Sequence, residues 1–400
     1  MPARPLPSRS FDVVVVGGGI GGASLAVVLA QAGMNVALVE RTREYKDRVH
    51  GEALAPWGVS EARRLGLLDV LLERARAHWL PIWTSYDGGE AKHSEIGLVD
   101  PHGESILSFH HPRAQAALWG LAQAAGVSLF RPAQLTDMTP DAGGYVARIE
   151  RQTIRTRLLV GADGRASTLR RTLGGRIAAD SPSHTVSGLL LAGTRLDHAC
   201  VITKRVPHGR LLLFPIGNSH VRVYYMADRS QRARLSGSRA REEILAVCRQ
   251  ELDRGWFSAA TVAGPGATFP NACRWVPHPN SEGLVLIGDA AGTGDPSIGQ
   301  GLAVTMRDIG ELSRRLIESA SWTQAGTDYG RTRLRYFQTQ RMIARCTWKF
   351  DAPGPEGERL RKREGRGANR SARQDLMRRI RLDPALVVPG KKARQLILYG

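Results

Sequence analysis

Valine dominates Phe11 to Val16, and so dense an apolar run is the pattern of a strand buried on both faces of a parallel sheet. Glycines follow. Ala23 to Ala32 then reads as a helix stopped by Gly33, and Asn35 to Val39 as a second buried strand ending in Glu40. The three pieces predict a βαβ unit. Ser60 to Arg76 predicts a Leu- and Arg-rich helix, and Trp79 to Phe109 turns strand-like between Gly and Pro punctuation. Arg113 to Ala125 predicts a helix closed by Gly126, with a short strand over Val127 to Arg131.

Tyr145 to Glu150 and Thr153 to Val160 predict a hairpin. From Thr185 to Met226 apolar and polar residues alternate, as in a half-exposed antiparallel sheet. Arg241 to Arg254 predicts a helix, Gly283 to Ile287 a buried strand and Gly301 to Glu318 a long helix. This order predicts an α/β chain whose doubly wound, Rossmann-like nucleotide domain spans 11–80, 101–180 and 275–345. An antiparallel-sheet substrate domain is inserted over 81–100 and 181–274. A basic, mostly helical tail occupies 346–400, with Ala352-Pro353-Gly354-Pro355 near its start.

Composition narrows the class. Four hundred residues with 42% apolar side chains suffice for a large core, and high glycine with few aromatics suits α/β crossovers. Cys200, Cys248, Cys273 and Cys346 are scattered without C-x-x-C spacing, which speaks against a disulfide framework or a metal site and suits a reducing cytoplasm. Met1 to Ser10 does not resemble an export signal, and no stretch reaches the ~20 apolar residues of a membrane span. The formal charge of +19 has a sharp reading, binding to a polyanion or a membrane surface, and a bland one, an Arg-rich proteome with some charge facing phosphates or an acidic substrate. No nucleic-acid module is recognisable, so the bland reading is preferred.

Three glycine motifs carry the chemistry. Gly17-Gly18-Gly19-Ile20-Gly21-Gly22 places G-x-G-x-x-G between strand and helix. Gly17 allows the turn, Gly19 lets a pyrophosphate approach, and Gly22 packs helix on strand. Glu40, eighteen residues past Gly22, stands where a carboxylate accepts ribose hydroxyls and repels a 2′-phosphate. The second motif is Gly161-Ala162-Asp163-Gly164. The third is Gly288-Asp289-Ala290-Ala291, continuing to Asp295-Pro296-Ser297-Ile298-Gly299-Gln300-Gly301. Asp289 at a strand end suits the hydroxyls of a ribityl chain, and Gly299 to Gly301 offers free N–H groups at a helix start. Together they describe a long dinucleotide lying across one sheet.

In this order and spacing the motifs resemble the single-component flavoprotein monooxygenases of the para-hydroxybenzoate hydroxylase fold, over residues 11 to 345. The resemblance implies a doubly wound FAD-binding domain with non-covalent FAD, and NAD(P)H as a transient electron donor. Gly17, Gly19 and Gly22 match the ADP-pyrophosphate loop, and Glu40 the adenosine-ribose ligand. Arg48 matches an arginine reaching the FAD phosphates, and Arg113 the arginine at a helix start. Asp163, with Gly164, matches the D-G pair used in FAD and NADPH contacts, and Asp289 the phosphate–ribityl aspartate. Pro296 matches a residue facing substrate beside the flavin ring. Gly299, Gly301 and the backbone of Leu302 and Ala303 match the segment along the flavin's pyrimidine edge. Thr293 and Ala303 depart from the His and Asn of many relatives.

The implied reaction is hydroxylation or epoxidation of a small organic substrate, aromatic or polyketide-like, by O2 through a flavin C4a-hydroperoxide. The positive charge would suit an acidic or carrier-bound substrate. The protein would act as a monomer or homodimer, without nucleic acid. Little acid–base machinery is obligatory. His50, His110 and His111 lie near flavin-contacting segments, and His50 and Pro296 are the candidates at the reacting centre, against an ordinary structural role for each histidine. Arg222, Tyr224 and Met226 share one face by period two, as do Leu212 and Phe214, and either line a pocket or simply pack.

Two rivals share the fold. Gly51-Glu52-Ala53-Leu54-Ala55-Pro56 resembles a flavin-dependent halogenase stretch, but Ala77-His78-Trp79-Leu80-Pro81 lacks the lysine that tryptophan halogenases need. A reductase of the geranylgeranyl reductase type would carry a cysteine stretch near the flavin that is not evident. A non-catalytic flavin- or nucleic-acid-binding protein is suggested by the charge alone.

Overall fold

A computed structural model describes residues 9–363 apart from 88, 89, 175, 238, 253 and 254, together with 372, 375, 376, 384 and 387–399 of the tail. The remainder of the predicted basic tail lies outside the described residues.

The strand Arg9–Val16 sits in the middle of the first sheet. It runs parallel to Gln152–Gly161 on one side and to Val36–Val39 on the other. Leu284–Leu286 and Ser128–Phe130 extend the parallel set outward. Val13 and Val15 face one core and Val14 and Val16 another, which is why the run needs apolar residues at successive positions. Asp12, the exception in that run, accepts the N–H of Asn35 at 2.9 Å on the exposed rim. Helices Ile20–Gln31, His111–Ala124 and Gly301–Glu318 cover one side.

The expected hairpin gains a third strand, Leu135–Asp141, so that an antiparallel meander grows from the parallel strand Gln152–Gly161. The single helix expected over Ser60 to Arg76 is two, Pro56–Arg64 and Leu68–Glu73. Pro56 starts the first early, and Gly66 at φ +69° turns the chain between them.

The second sheet contains His184–Ala192, His220–Asp228, Gly209–Gly217, Cys200–Val206, Ile82–Asp87 and Glu90–Glu95 in that spatial order. Its ladder is antiparallel except where Ile82–Asp87 runs parallel to Cys200–Val206. Alternation predicted a half-exposed sheet, whereas both faces are covered. Helix Arg239–Glu251 packs Ile244 and Cys248 on the outer face. The inner face carries Val186, Leu212, Phe214 and Met226, with Trp348 against them. Its polar positions are tied to protein partners, which is why alternation misreads its exposure.

The helix Trp322–Asp351 is thirty residues long and crosses the expected domain boundary at 345/346. It packs Tyr329, Tyr336 and Phe337 on the first domain and Trp348 on the second sheet. Tail helices Pro355–Arg363 and Lys391–Tyr399 rest on Met342 and Cys346 through Leu360, Ile397 and Leu398. Among the described residues no helix is long and apolar enough to cross a membrane.

Candidate functional site

The first glycine loop divides its labour as its spacing suggests. Gly17 has φ +110°, and a Cβ there would lie 2.4 Å from the Ala162 carbonyl oxygen. A Cβ on Gly22 would lie 1.9 Å from the Gly17 oxygen, so helix and strand touch through backbone alone. Gly19 caps the helix and faces open space, its nearest neighbour being Gln115 Nε2 at 3.9 Å. That opening lies over the N–H groups of the first helical turn, a place suited to an anion.

Glu40 braces this loop. Its Oε2 accepts the Gly18 N–H at 2.7 Å, and its Oε1 accepts from the Thr42 N–H at 2.7 Å and the Thr42 hydroxyl at 2.6 Å. A carboxylate has about four acceptor sites, so one remains for a ribose hydroxyl. Beside it Tyr45 donates to the Gly18 carbonyl at 2.6 Å, and the Arg131 guanidinium lies 4.1 Å over the Tyr45 ring. Burial raises the Tyr45 pKa above its ordinary value, so the phenol remains a donor. Thr42, Tyr45 and Arg131 carry no motif, and sequence reasoning missed them. Arg48 and Arg113 are exposed, and neither guanidinium has a partner among the described residues.

At the second motif Asp163 Oδ2 accepts from the N–H and hydroxyl of Thr168 at 2.7 and 2.9 Å, while its Oδ1 is buried without a partner. Gly164 is left-handed at φ +78° with nothing near it. Arg165 reaches Asp289 at 3.6 Å and lies 4.9 Å over the Phe269 ring.

Asp289 stands on the short turn Gly288–Ala291. A cavity beside it is lined by Gly288, Asp289, Gly292, Asp295, Ile298 and Gly301. Gly299 is left-handed at φ +64°, and Cβ atoms on Gly299 and Gly301 would meet nothing within 4 Å. Pro296 is half-buried and opens the turn that precedes them. Leu302 lies 3.6 Å from the Cβ position of Gly51, and Ala303 is fully buried against Gly58. Ala303 therefore offers this site its backbone only. Its small side chain serves the contact between Pro56–Arg64 and Gly301–Glu318, where a Cβ on Gly58 would come within 2.6 Å of it. Thr293 is half-buried and pairs with Arg274 in a short ladder.

Between the two sheets the His50 and His111 rings stack at 4.8 Å. Burial, followed by His111, Arg165, Arg48 and Arg222, pushes the His50 pKa down to about 3. Burial lowers His111 too, and its Nδ1–H donates to the Gly51 carbonyl at 2.9 Å. His110 is lowered chiefly by burial, with Glu52 and Asp47 opposing.

On the inner face of the second sheet, Leu212 stands opposite Tyr224 and Phe214 opposite Arg222. The Tyr224 hydroxyl donates to the His50 carbonyl at 2.5 Å. Arg222 is fully buried and holds Glu52 through Nε at 2.7 Å and Nη2 at 3.1 Å, while Nη2 also meets Asp47 at 2.7 Å. Asp47, Glu52 and His110 converge as a metal cluster would, yet the cation already lying between the two carboxylates is Arg222.

The FAD binding domain family matches residues 10–333. The chain belongs to that family. It is a flavoprotein, and its glycine loops, the orphaned Asp163 oxygen and the two unpaired arginines fit FAD. The chain is 29% identical over 344 residues to ubiquinone hydroxylase UbiL of Rhodospirillum rubrum, covering 79% of this chain and 74% of that protein. It is 28% identical over 328 residues to menaquinone reductase of Mycolicibacterium smegmatis, covering 78% and 77%. The flavin-dependent brominase Bmp2 shares the fold at a TM-score of 0.75 and 17% identity, with 97% of each chain covered.

Proposed function

We propose that this FAD-dependent oxidoreductase is a monooxygenase that uses NAD(P)H and O2 to insert oxygen into a small organic substrate. The observation that carries this reading is the pair of glycine loops, Gly17 to Gly22 and Gly299 to Gly301, left open at Gly19, Gly299 and Gly301 where a long dinucleotide would lie, in a chain of the FAD binding domain family. The hydroxylase relative supports it, as does the family match.

In this reading Gly17, Gly19 and Gly22 seat the FAD pyrophosphate, Glu40 takes an adenosine ribose hydroxyl, and Arg48 and Arg113 approach the phosphates. Asp163 and Gly164 flank the cofactor, and Asp289 takes the ribityl hydroxyls. Backbone N–H groups from Gly299 to Ala303 face the flavin ring, and Pro296 faces the substrate. FAD, once reduced by NAD(P)H, supplies the oxygen-activating chemistry. The chain's own contribution is to bind, orient and keep water out. His50 is a poor general base, because a pKa near 3 lies far from the operating pH at which proton abstraction is efficient. All four cysteines are buried and unbridged, which supports a reducing compartment such as the cytoplasm.

The test is NAD(P)H oxidation in air by the FAD-loaded protein across a substrate panel. Substrate-stimulated consumption with an oxygenated product supports the proposal. A flavin-loaded protein that oxidises no NAD(P)H with any substrate points instead to a halogenase or reductase fed by a partner.

A further inference from the structure

Asn271 joins the second sheet to the turn that precedes Gly299 and Gly301. Its backbone N–H donates to the His184 carbonyl at 3.2 Å, and its Oδ1 accepts the N–H groups of Ser183 and His184 at 2.9 and 3.0 Å. With the oxygen so occupied the amide has one orientation, and Nδ2 donates to Asp295 Oδ2 at 2.7 Å. Asp295 Oδ1 in turn accepts the Ser297 N–H at 2.9 Å and caps the turn Pro296–Ile298. Both side chains are buried.

Among the described residues no arginine or lysine pairs with Asp295. Its titratable neighbour is His184, with Nε2 at 3.6 Å from Oδ1, and burial pushes that ring's pKa down to about 4, so it is neutral. The carboxylate therefore depends on neutral donors, the Ser297 N–H and the Asn271 amide. A hydrogen bond to a carboxylate is roughly twice as strong as one between neutral groups, so this contact holds the turn firmly. Asp295, Ile298, Gln300 and Gly301 line the same cavity as Asp289, and Gln300 Oε1 accepts the Trp57 indole N–H at 2.6 Å. The segment is thus pinned at both ends, by Asp295 to the second sheet and by Gln300 to the helix Pro56–Arg64.

We propose that Asn271 and Asp295 are positioning residues, through which the second sheet sets where the backbone N–H groups of Gly299 to Gly301 stand against the flavin ring. This rests on the reading that places that segment along the flavin. Asn271 lies outside every glycine motif and acts through Asp295.

The test exchanges the two side chains. Asp295→Asn alone brings a second amide NH2 against Asn271 Nδ2, or against the Ser297 N–H, because Asn271 cannot turn its amide round. Asp295→Asn combined with Asn271→Asp restores one donor and one acceptor with the net charge unchanged. Visible absorbance and fluorescence-quenching titrations follow FAD, and Tm follows the fold. The single variant should displace the flavin bands and weaken FAD binding about ten-fold, and the exchanged pair should return both to within about two-fold of the native protein. A lowered Tm with unmoved bands in Asp295→Asn, or a folded exchange variant whose bands stay displaced, would overturn the proposal. Should the single variant not fold, the exchanged pair carries the test alone. Gly301→Ala, whose methyl would meet nothing within 4 Å, shows whether the segment borders the flavin at all. Bands moved by Gly301→Ala but not by Asp295→Asn overturn the positioning role and leave the placement standing. Bands moved by neither overturn the placement, and the proposal with it.

Discussion

Asp308 and Arg333 form a fully buried ion pair, Oδ2 to Nε at 3.0 Å, and the same carboxylate oxygen accepts the Gly288 N–H at 2.7 Å. Arg333 Nη2 donates to the Gly288 and Gly292 carbonyls at 3.2 and 3.5 Å, and the Tyr336 hydroxyl donates to Asp308 Oδ1. The pair therefore grips both ends of the turn that presents Asp289. Two helices, Gly301–Glu318 and Trp322–Asp351, are coupled through it to the turn Gly288–Ala291.

Removing one partner of such a pair leaves an uncompensated buried charge. Asp308→Ala should lower unfolding stability by about 3–5 kcal/mol in a urea titration, and should also weaken FAD binding. An unchanged urea midpoint would show that the pair is not held as described.

The glycine loop separates packing from ligand space. Gly22→Ala should destabilise the apoprotein, because its methyl would lie 1.9 Å from the Gly17 oxygen. Gly19→Ala should fold with an unaltered Tm, since its nearest neighbour is 3.9 Å away, yet lose FAD affinity by about ten-fold or more. Equal FAD affinity in Gly19→Ala, measured by fluorescence quenching, would remove the loop from the pyrophosphate site.

Two neutral histidines predict a pH dependence. His184 is lowered from 6.5 to about 4 and His50 from 6.5 to about 3, so between those values the unfolded chain binds more protons than the folded one. Their contribution to stability is complete above pH 6.5 and is lost as the pH falls through the folded values. Each should add up to about 1.4 kcal/mol per pH unit to the slope. Urea midpoints between pH 7 and pH 4 should fall steeply, and His184→Gln should flatten the curve. A parallel curve in that variant would contradict the assignment.

His50→Gln should cost far less than the ~10²-fold that a general base supplies, and should leave the pH profile of kcat unchanged. A large loss accompanied by a displaced acid limb would make His50 a base after all.

What was legible in the sequence follows from the range of the forces involved. Gly17, Gly22, Gly164 and Gly299 could be read because turns and close approach make local demands that few residues meet. The helix Gly301–Glu318 was read to the residue, since its cap and period are local as well. Arg222 with Glu52 and Arg333 with Asp308 were not, because no spacing encodes a pair formed across 170 or 25 residues. The inner face was misread as half-exposed for the same reason. Its polar side chains looked solvated until their distant partners were placed. The break at Gly66 was missed because the Leu and Arg pattern continues on both sides of it.

The most direct measurement supplies NAD(P)H, 18O2 and a panel of small aromatic and polyketide-like substrates to the FAD-loaded protein and weighs the products by mass spectrometry. A product carrying one labelled oxygen atom, formed with substrate-dependent NAD(P)H consumption, is the predicted result. NAD(P)H left unoxidised across the whole panel, or a product without label, would contradict the monooxygenase assignment.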